Sequence, residues 1–188
     1  MTNDPNWKLP IVPTFTLTSP DFDDGGPLPV WVRGSAAGGK DRSPQLDWEG
    51  APEGTKSYVL TVFDPDAPSG SGFWHWTLID IPSDVTSLPA GAGTDDALLP
   101  LGAARRRNEY GTDVFIGAAP PPGTGPHRYT YTVSALDVPA LVVAEDATPA
   151  IVGLRLRPHI IARAQLIGLA QTGEDGAPEL IASPLSRP

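Results

Sequence analysis

Ser57-Tyr-Val-Leu-Thr-Val-Phe-Asp64-Pro-Asp66-Ala-Pro-Ser-Gly-Ser-Gly-Phe-Trp-His75-Trp-Thr-Leu-Ile-Asp-Ile-Pro82 reads as strand, turn, strand. The first run is rich in β-branched and aromatic residues and stops at Asp64-Pro65, where the following proline pushes the chain into an extended conformation. Small residues, Ser69-Gly-Ser-Gly72, then bring it back into a second apolar run that Pro82 closes. Two such runs joined by a loop predict an antiparallel hairpin with a wide mouth. The same pattern recurs outward from it. Phe15-Thr-Leu-Thr18 and Val30-Trp-Val-Arg33 alternate as strands do. Arg128–Leu136 puts Tyr129, Tyr131 and Val133 on one face and its threonines on the other. Prolines (23) and glycines (20) are spread between these runs, as in a turn-rich β protein.

Helical signals appear only late. Thr148-Pro149 supplies an N-cap and a first-turn proline ahead of Ala150–Arg157. Pro158–Ala164 reads as a second short helix, and Gln165–Ala170 as a closing strand. The expected fold is mostly β and antiparallel, with short helices near the C-terminus. Length and the absence of a composition shift predict a loose segment over residues 1–10 and a single domain over 11–188.

Composition removes several function classes. A net charge of −9 argues against a nucleic-acid binder, which needs a basic surface. Arg105-Arg106-Arg107, beside Asn108-Glu109, reads as a solvated loop. No apolar run approaches the roughly 20 residues of a bilayer span, so membrane insertion is not expected. The first residues carry no basic, then apolar, leader pattern, which makes the cytoplasm the expected location. With no cysteine there is no disulfide, thiolate nucleophile or Cys-held metal.

Two of the three histidines stand in the two most turn-constrained segments. His75 returns from the loop that begins at Asp64 and Asp66, so a carboxylate–imidazole pair that keeps His75 charged is expected there. For the aspartates the alternative is an Asx turn that only bonds nearby amides. His127 follows the stiff Pro120-Pro-Pro-Gly123 loop, and Tyr129, two residues on, projects from the same face. Two imidazoles, a phenol and backbone N–H groups near Gly117 suit an anion such as phosphate or carboxylate. His159, among Ile, Ala and Arg, reads as structural. The histidines lack the close spacing of a dedicated metal site. Walker, dinucleotide and Gly-x-Ser-x-Gly patterns are missing, so neither metal nor cofactor is expected.

These segments resemble a known family over nearly the whole chain. Ser43-Pro-Gln-Leu-Asp-Trp48, Asp64-Pro-Asp-Ala-Pro68, Phe73-Trp-His-Trp76, Pro120-Pro-Pro-Gly-Thr-Gly-Pro-His-Arg-Tyr129 and His159–Gly168 are similar to motifs of the phosphatidylethanolamine-binding proteins, in the bacterial branch called Raf kinase inhibitor-like. The resemblance implies a β-sandwich of Greek-key type with C-terminal helices. It also implies a small anion pocket formed by Asp64, Asp66, His75, His127 and Tyr129, lined by Gly117, Pro120 and Pro121. Such pockets take phosphate, acetate or phosphorylated head groups. Bacterial relatives often carry Cys just before the paired prolines; Ala119 stands there, so thiol chemistry at the rim is excluded. The Tyr110–Phe115 stretch also departs from the family at the rim, where ligand choice is set. The leading expectation is a small-anion-binding protein. The alternatives are an enzyme using His75, Asp64 and His127 in acid–base chemistry, and a kinase- or protease-inhibitor-like regulator acting through its surface. A two-fold homodimer anchored by Trp7, Trp31 or Trp48 is also an expectation, set against these residues being core.

Overall fold

The computed structural model describes residues 9–179 and 181. Most of the segment expected to be loose, and Trp7 with it, lie outside the described residues.

Strands β1 (Thr16–Thr18), β3 (Leu46–Glu49) and β6 (Ser87–Leu88) form a small antiparallel sheet in the order β1-β3-β6. The large sheet runs β10-β9-β8-β4-β5-β7. It is built from β4 (Ser57–Asp64), β5 (Phe73–Pro82), β7 (Ala104–Arg106), β8 (His127–Leu136), β9 (Ile160–Thr172) and β10 (Pro178–Glu179). These pairs are antiparallel; β2 (Gly26–Pro27) adds a short parallel pair against β9.

The alternation read from the sequence sorts side chains to the two faces of the large sheet. Tyr58, Leu60 and Val62 of β4, with Trp76 and Leu78 of β5 and Tyr131 and Val133 of β8, are buried in one core with Leu17, Leu46, Trp48 and Leu88 of the small sheet. Val59, Ile79 and Leu136 face the other way and pack with Val152 and Leu156 of the helix α1 (Pro149–Leu156). That helix is capped as its sequence predicts, with the Thr148 side chain accepting from the Ile151 amide and Pro149 in the first turn.

Three local expectations are corrected. Val30–Val32 is a 3-10 turn, not a strand: the Val32 and Arg33 amides bond back to the Pro29 and Val30 carbonyls. Pro158–Ala164 is not a helix. A 3-10 turn over Arg157–His159 leads directly into β9, where Ala162 and Ala164 are buried and Ile161 and Arg163 are half-buried, a period of two. Alanine favours helix locally, but ten backbone pairings with β8 override that preference. Arg105 and Arg106 lie in the edge strand β7 rather than in a loop, and Arg105 is ion-paired with Asp96. Of the candidate interface tryptophans, Trp48 is a core residue, while Trp31 is half-buried under the Arg42 guanidinium.

Candidate functional site

The β4–β5 hairpin carries a local irregularity at His75. Val62 pairs with Trp76 and Phe63 with Trp74, so His75 has no partner on β4. A bulge of this kind frees one residue's backbone from the ladder and re-aims its side chain. The released His75 carbonyl accepts from the Ile116 amide at 3.0 Å. The ring Nδ1 donates to the Ile116 carbonyl at 2.8 Å, which leaves Nε2 as the nitrogen available to a ligand. Burial outweighs this bond and the nearby Asp64 charge, and depresses the His75 pKa to about 4. The expectation that Asp64 and Asp66 hold His75 charged is therefore corrected: the ring is neutral near pH 7.

Asp64 is buried at the end of β4, and its close partner is His127, not His75. Its Oδ2 lies 2.7 Å from His127 Nδ1. Its Oδ1 accepts from the amides of Asp66 and Ala67 at 2.8 and 3.0 Å. The Asx turn and the carboxylate–imidazole pair thus coexist on one side chain, one oxygen each. His127 Nε2 is 2.8 Å from the Thr124 hydroxyl, which itself donates to the Pro121 carbonyl at 2.7 Å. Both ring nitrogens of His127 are committed to protein partners, and its role as a free donor to a ligand is corrected accordingly.

Asp66 turns away from the cavity. It takes a two-pronged contact from Arg128, Nε to Oδ2 at 2.8 Å and Nη2 to Oδ1 at 2.7 Å, and also accepts the Arg128 amide. The Arg128 hydrogen bonds hold the Asp66 carboxyl below the usual carboxylate range despite partial burial. This clamp fixes the start of β8, where His127 sits.

Gly117 lines the cavity, but its amide is already taken by Asp41 Oδ1 at 2.9 Å. Burial alone would raise the Asp41 pKa; the Ser35 and Gly117 amides overcome it and keep the carboxylate ionised. Glycine is required at 117 for close approach, since a Cβ there would lie 2.4 Å from the Arg33 carbonyl carbon and the Gly34 nitrogen. Pro120 is buried behind the wall, and only Pro121 of the pair reaches the cavity. Tyr129 is buried and lines it beside His75, their ring centroids 5.0 Å apart at 71°. Burial first, then the Asp64 charge, push its phenol pKa up, so the hydroxyl keeps its proton.

The resulting cavity holds about 220 Å³, and Asp64, His75, Gly117, Pro121, His127 and Tyr129 converge on it. Sequence reasoning missed Phe73 and Ile116, together with Ala67, Pro68 and Ser69 of the hairpin loop; Tyr110 belongs to the Tyr110–Phe115 stretch expected at the rim. Phe73 stands two residues before His75 on the same strand and was open to discovery from that spacing. Tyr110 comes from a separate turn, and only its departure from the family pattern announces it.

Comparison with known proteins agrees with this architecture. The sequence profile described as "Phosphatidylethanolamine-binding protein" matches residues 18–171. YbcL of Escherichia coli K12, a UPF0098 protein, is 44% identical over 155 residues, 81% of this chain and 85% of its own. YbhB of the same organism, also UPF0098, is 41% identical over 155 residues, 81% of this chain and 98% of its own. The crystal structure of E. coli YbcL, described as a new member of the mammalian PEBP family, superposes with a TM-score of 0.80 at 43% identity. That match covers 84% of this chain and 98% of the YbcL chain. With the profile spanning most of its length and relatives above 40% identity, the chain belongs to the phosphatidylethanolamine-binding protein family.

Proposed function

We propose that this protein binds a small anionic group, a carboxylate or a phosphate monoester, in the cavity between His75 and Tyr129. The observation that carries this reading is the neutral His75 ring, whose Nε2 faces an otherwise largely apolar cavity while Nδ1 is held by Ile116. A purely apolar ligand would leave that nitrogen buried without a partner, at a cost of about 1–3 kcal/mol. A cation gains little from Asp64, whose two oxygens are occupied by His127 and by two backbone amides. An anion that arrives with one proton satisfies the site: the proton is shared with Nε2, and a second oxygen accepts from the Tyr129 phenol. With a carboxylate the unit formed with His75 is then neutral overall, which limits the desolvation cost; a phosphate monoester with one proton keeps one negative charge.

The acid–base enzyme alternative draws less support. His127 has both nitrogens engaged, and a ring with a pKa of about 4 is a weak base near neutral pH. Among the described residues no helix is long and apolar enough to cross a membrane.

Calorimetric titration with sodium acetate and inorganic phosphate at pH 5.5 tests the reading on the wild type and His75→Ala. Saturable binding that weakens about ten- to a hundredfold in the variant is expected. No saturable binding of either anion, or equal affinities in the two proteins, would overturn it.

A further inference from the structure

We infer that the ligand of this cavity is a carboxylic acid carried directly on a flat aromatic ring, with Phe73 and Tyr110 reading the ring. The inference rests on the anion-binding reading above and names the class of anion.

The head group follows from the donor inventory. Gly117 N–H is held by Asp41, both nitrogens of His127 are held, and both oxygens of Asp64 are held. The Ser69 hydroxyl donates to the Gly72 carbonyl. In the depth of the cavity, His75 Nε2 and the proton of the Tyr129 hydroxyl, whose oxygen accepts from the Ala119 amide, are left to serve a ligand, with the Tyr110 hydroxyl out at the rim. A carboxyl group brings two oxygens to two partners. A phosphate brings more oxygens and up to two charges, and the surplus would sit without donors beside the Asp64 carboxylate.

The body follows from volume and shape. A dry apolar cavity of about 150 Å³ accepts a benzene ring. The cavity of about 220 Å³, open at its mouth, therefore has room for a ring with its carboxyl group at the deep end, and is larger than acetate needs. Its walls are aromatic along one continuous path. Tyr110 meets Phe73 edge-on with centroids 4.9 Å apart at 74°, Phe73 meets His75 at 4.8 Å and 55°, and His75 meets Tyr129 at 5.0 Å and 71°. A planar ligand extends such a stack of tilted rings with favourable edge-to-face contacts.

Tyr110 is exposed, at 73%, yet it is not loosely held. The buried Asn108 shapes its turn: Oδ1 accepts from the Tyr110 and Thr112 amides at 3.0 and 3.1 Å, and Nδ2 donates to the Thr112 hydroxyl and the Val114 carbonyl at 2.6 and 2.8 Å. The aromatic side chain is thus presented at the rim on a preformed turn, which spares ordering entropy on binding.

The experiment is calorimetric titration at pH 5.5 with four anions: acetate, benzoate, phosphate and phenyl phosphate. The proteins are the wild type, Tyr110→Ala and Phe73→Leu, with thermal melts confirming that the variants fold. Benzoate is expected to bind at least about tenfold tighter than acetate, from the apolar area of the ring. Tyr110→Ala and Phe73→Leu should each weaken benzoate severalfold more than they weaken acetate. Equal affinities for acetate and benzoate, or losses in the variants that are the same for both, would overturn the aromatic part while the anion-binding reading survives. Phenyl phosphate binding tighter than benzoate would overturn the carboxyl part. Silence from all four anions would overturn the anion-binding reading itself, and this inference with it.

Discussion

An imidazole forced into a dry wall gives up its charge, and His75 shows what that does to both folding and binding. Its pKa falls from 6.5 to about 4 on burial. Between these values the unfolded chain binds the proton and the folded one does not, so this residue's contribution to stability is complete above pH 6.5 and declines as pH falls towards 4. Urea denaturation of wild type and His75→Gln at pH 7 and pH 4.5, in anion-poor buffer, should show the variant gaining roughly 2–3 kcal/mol relative to wild type at the lower pH. A difference that does not change with pH would place the titration elsewhere. Binding carries the opposite sign. A bound carboxylate brings a proton with it to His75 or shares its own, so acetate affinity should fall about tenfold per pH unit from pH 5.5 to 7.5. Calorimetry in two buffers of different ionisation heat would report the proton taken up.

Two short elements convert chain geometry into a site. The bulge in β5 removes His75 from the ladder and hands its backbone and Nδ1 to Ile116, so the ring is fixed from both ends. The Asn108 turn does the same for Tyr110 through one buried side chain with four bonds. Asn108→Ala leaves two amides and a carbonyl without their partner, and should cost about 1–3 kcal/mol in chemical denaturation. Gly111, the residue in the turn with φ of 77°, should resist substitution for a conformational reason instead. If Asn108→Ala proved neutral, water would be replacing its bonds and the turn would be less rigid than its geometry implies.

At the scale of the whole molecule, the cavity depends on segments that are far apart in sequence being pressed together. Gly117 lies against Arg33 and Gly34, and Arg33, itself buried, donates to the Gln171 and Glu179 carbonyls at 2.6 and 3.2 Å. Gly117→Ala should therefore lower thermal stability, by about 1–3 kcal/mol from overpacking, and weaken acetate binding as the wall shifts. An unchanged melting temperature would mean that the backbone there yields easily. The β4–β5 hairpin and β8 were legible in the sequence because their β-branched alternation and Pro/Gly boundaries are local properties. So were the cap of α1 and the candidacy of Asp64, His75, His127 and Tyr129, which share rare residue types with stiff loops. Val30–Val32 and Pro158–Ala164 were not legible: each carries a local preference that a proline-anchored turn or pairing with β8 overrules. Nor was the partnering of Asp64 with His127, 63 residues away, in place of His75, only 11 residues on. What the sequence determined by itself is the class of fold and the set of polar residues from which a site is drawn, because pattern and composition are carried by neighbours along the chain. Which of those residues face a ligand, which are spent on one another, and that Tyr110 meets Phe73, only the tertiary structure decided, because register, bulge and close packing are set by contacts between distant segments.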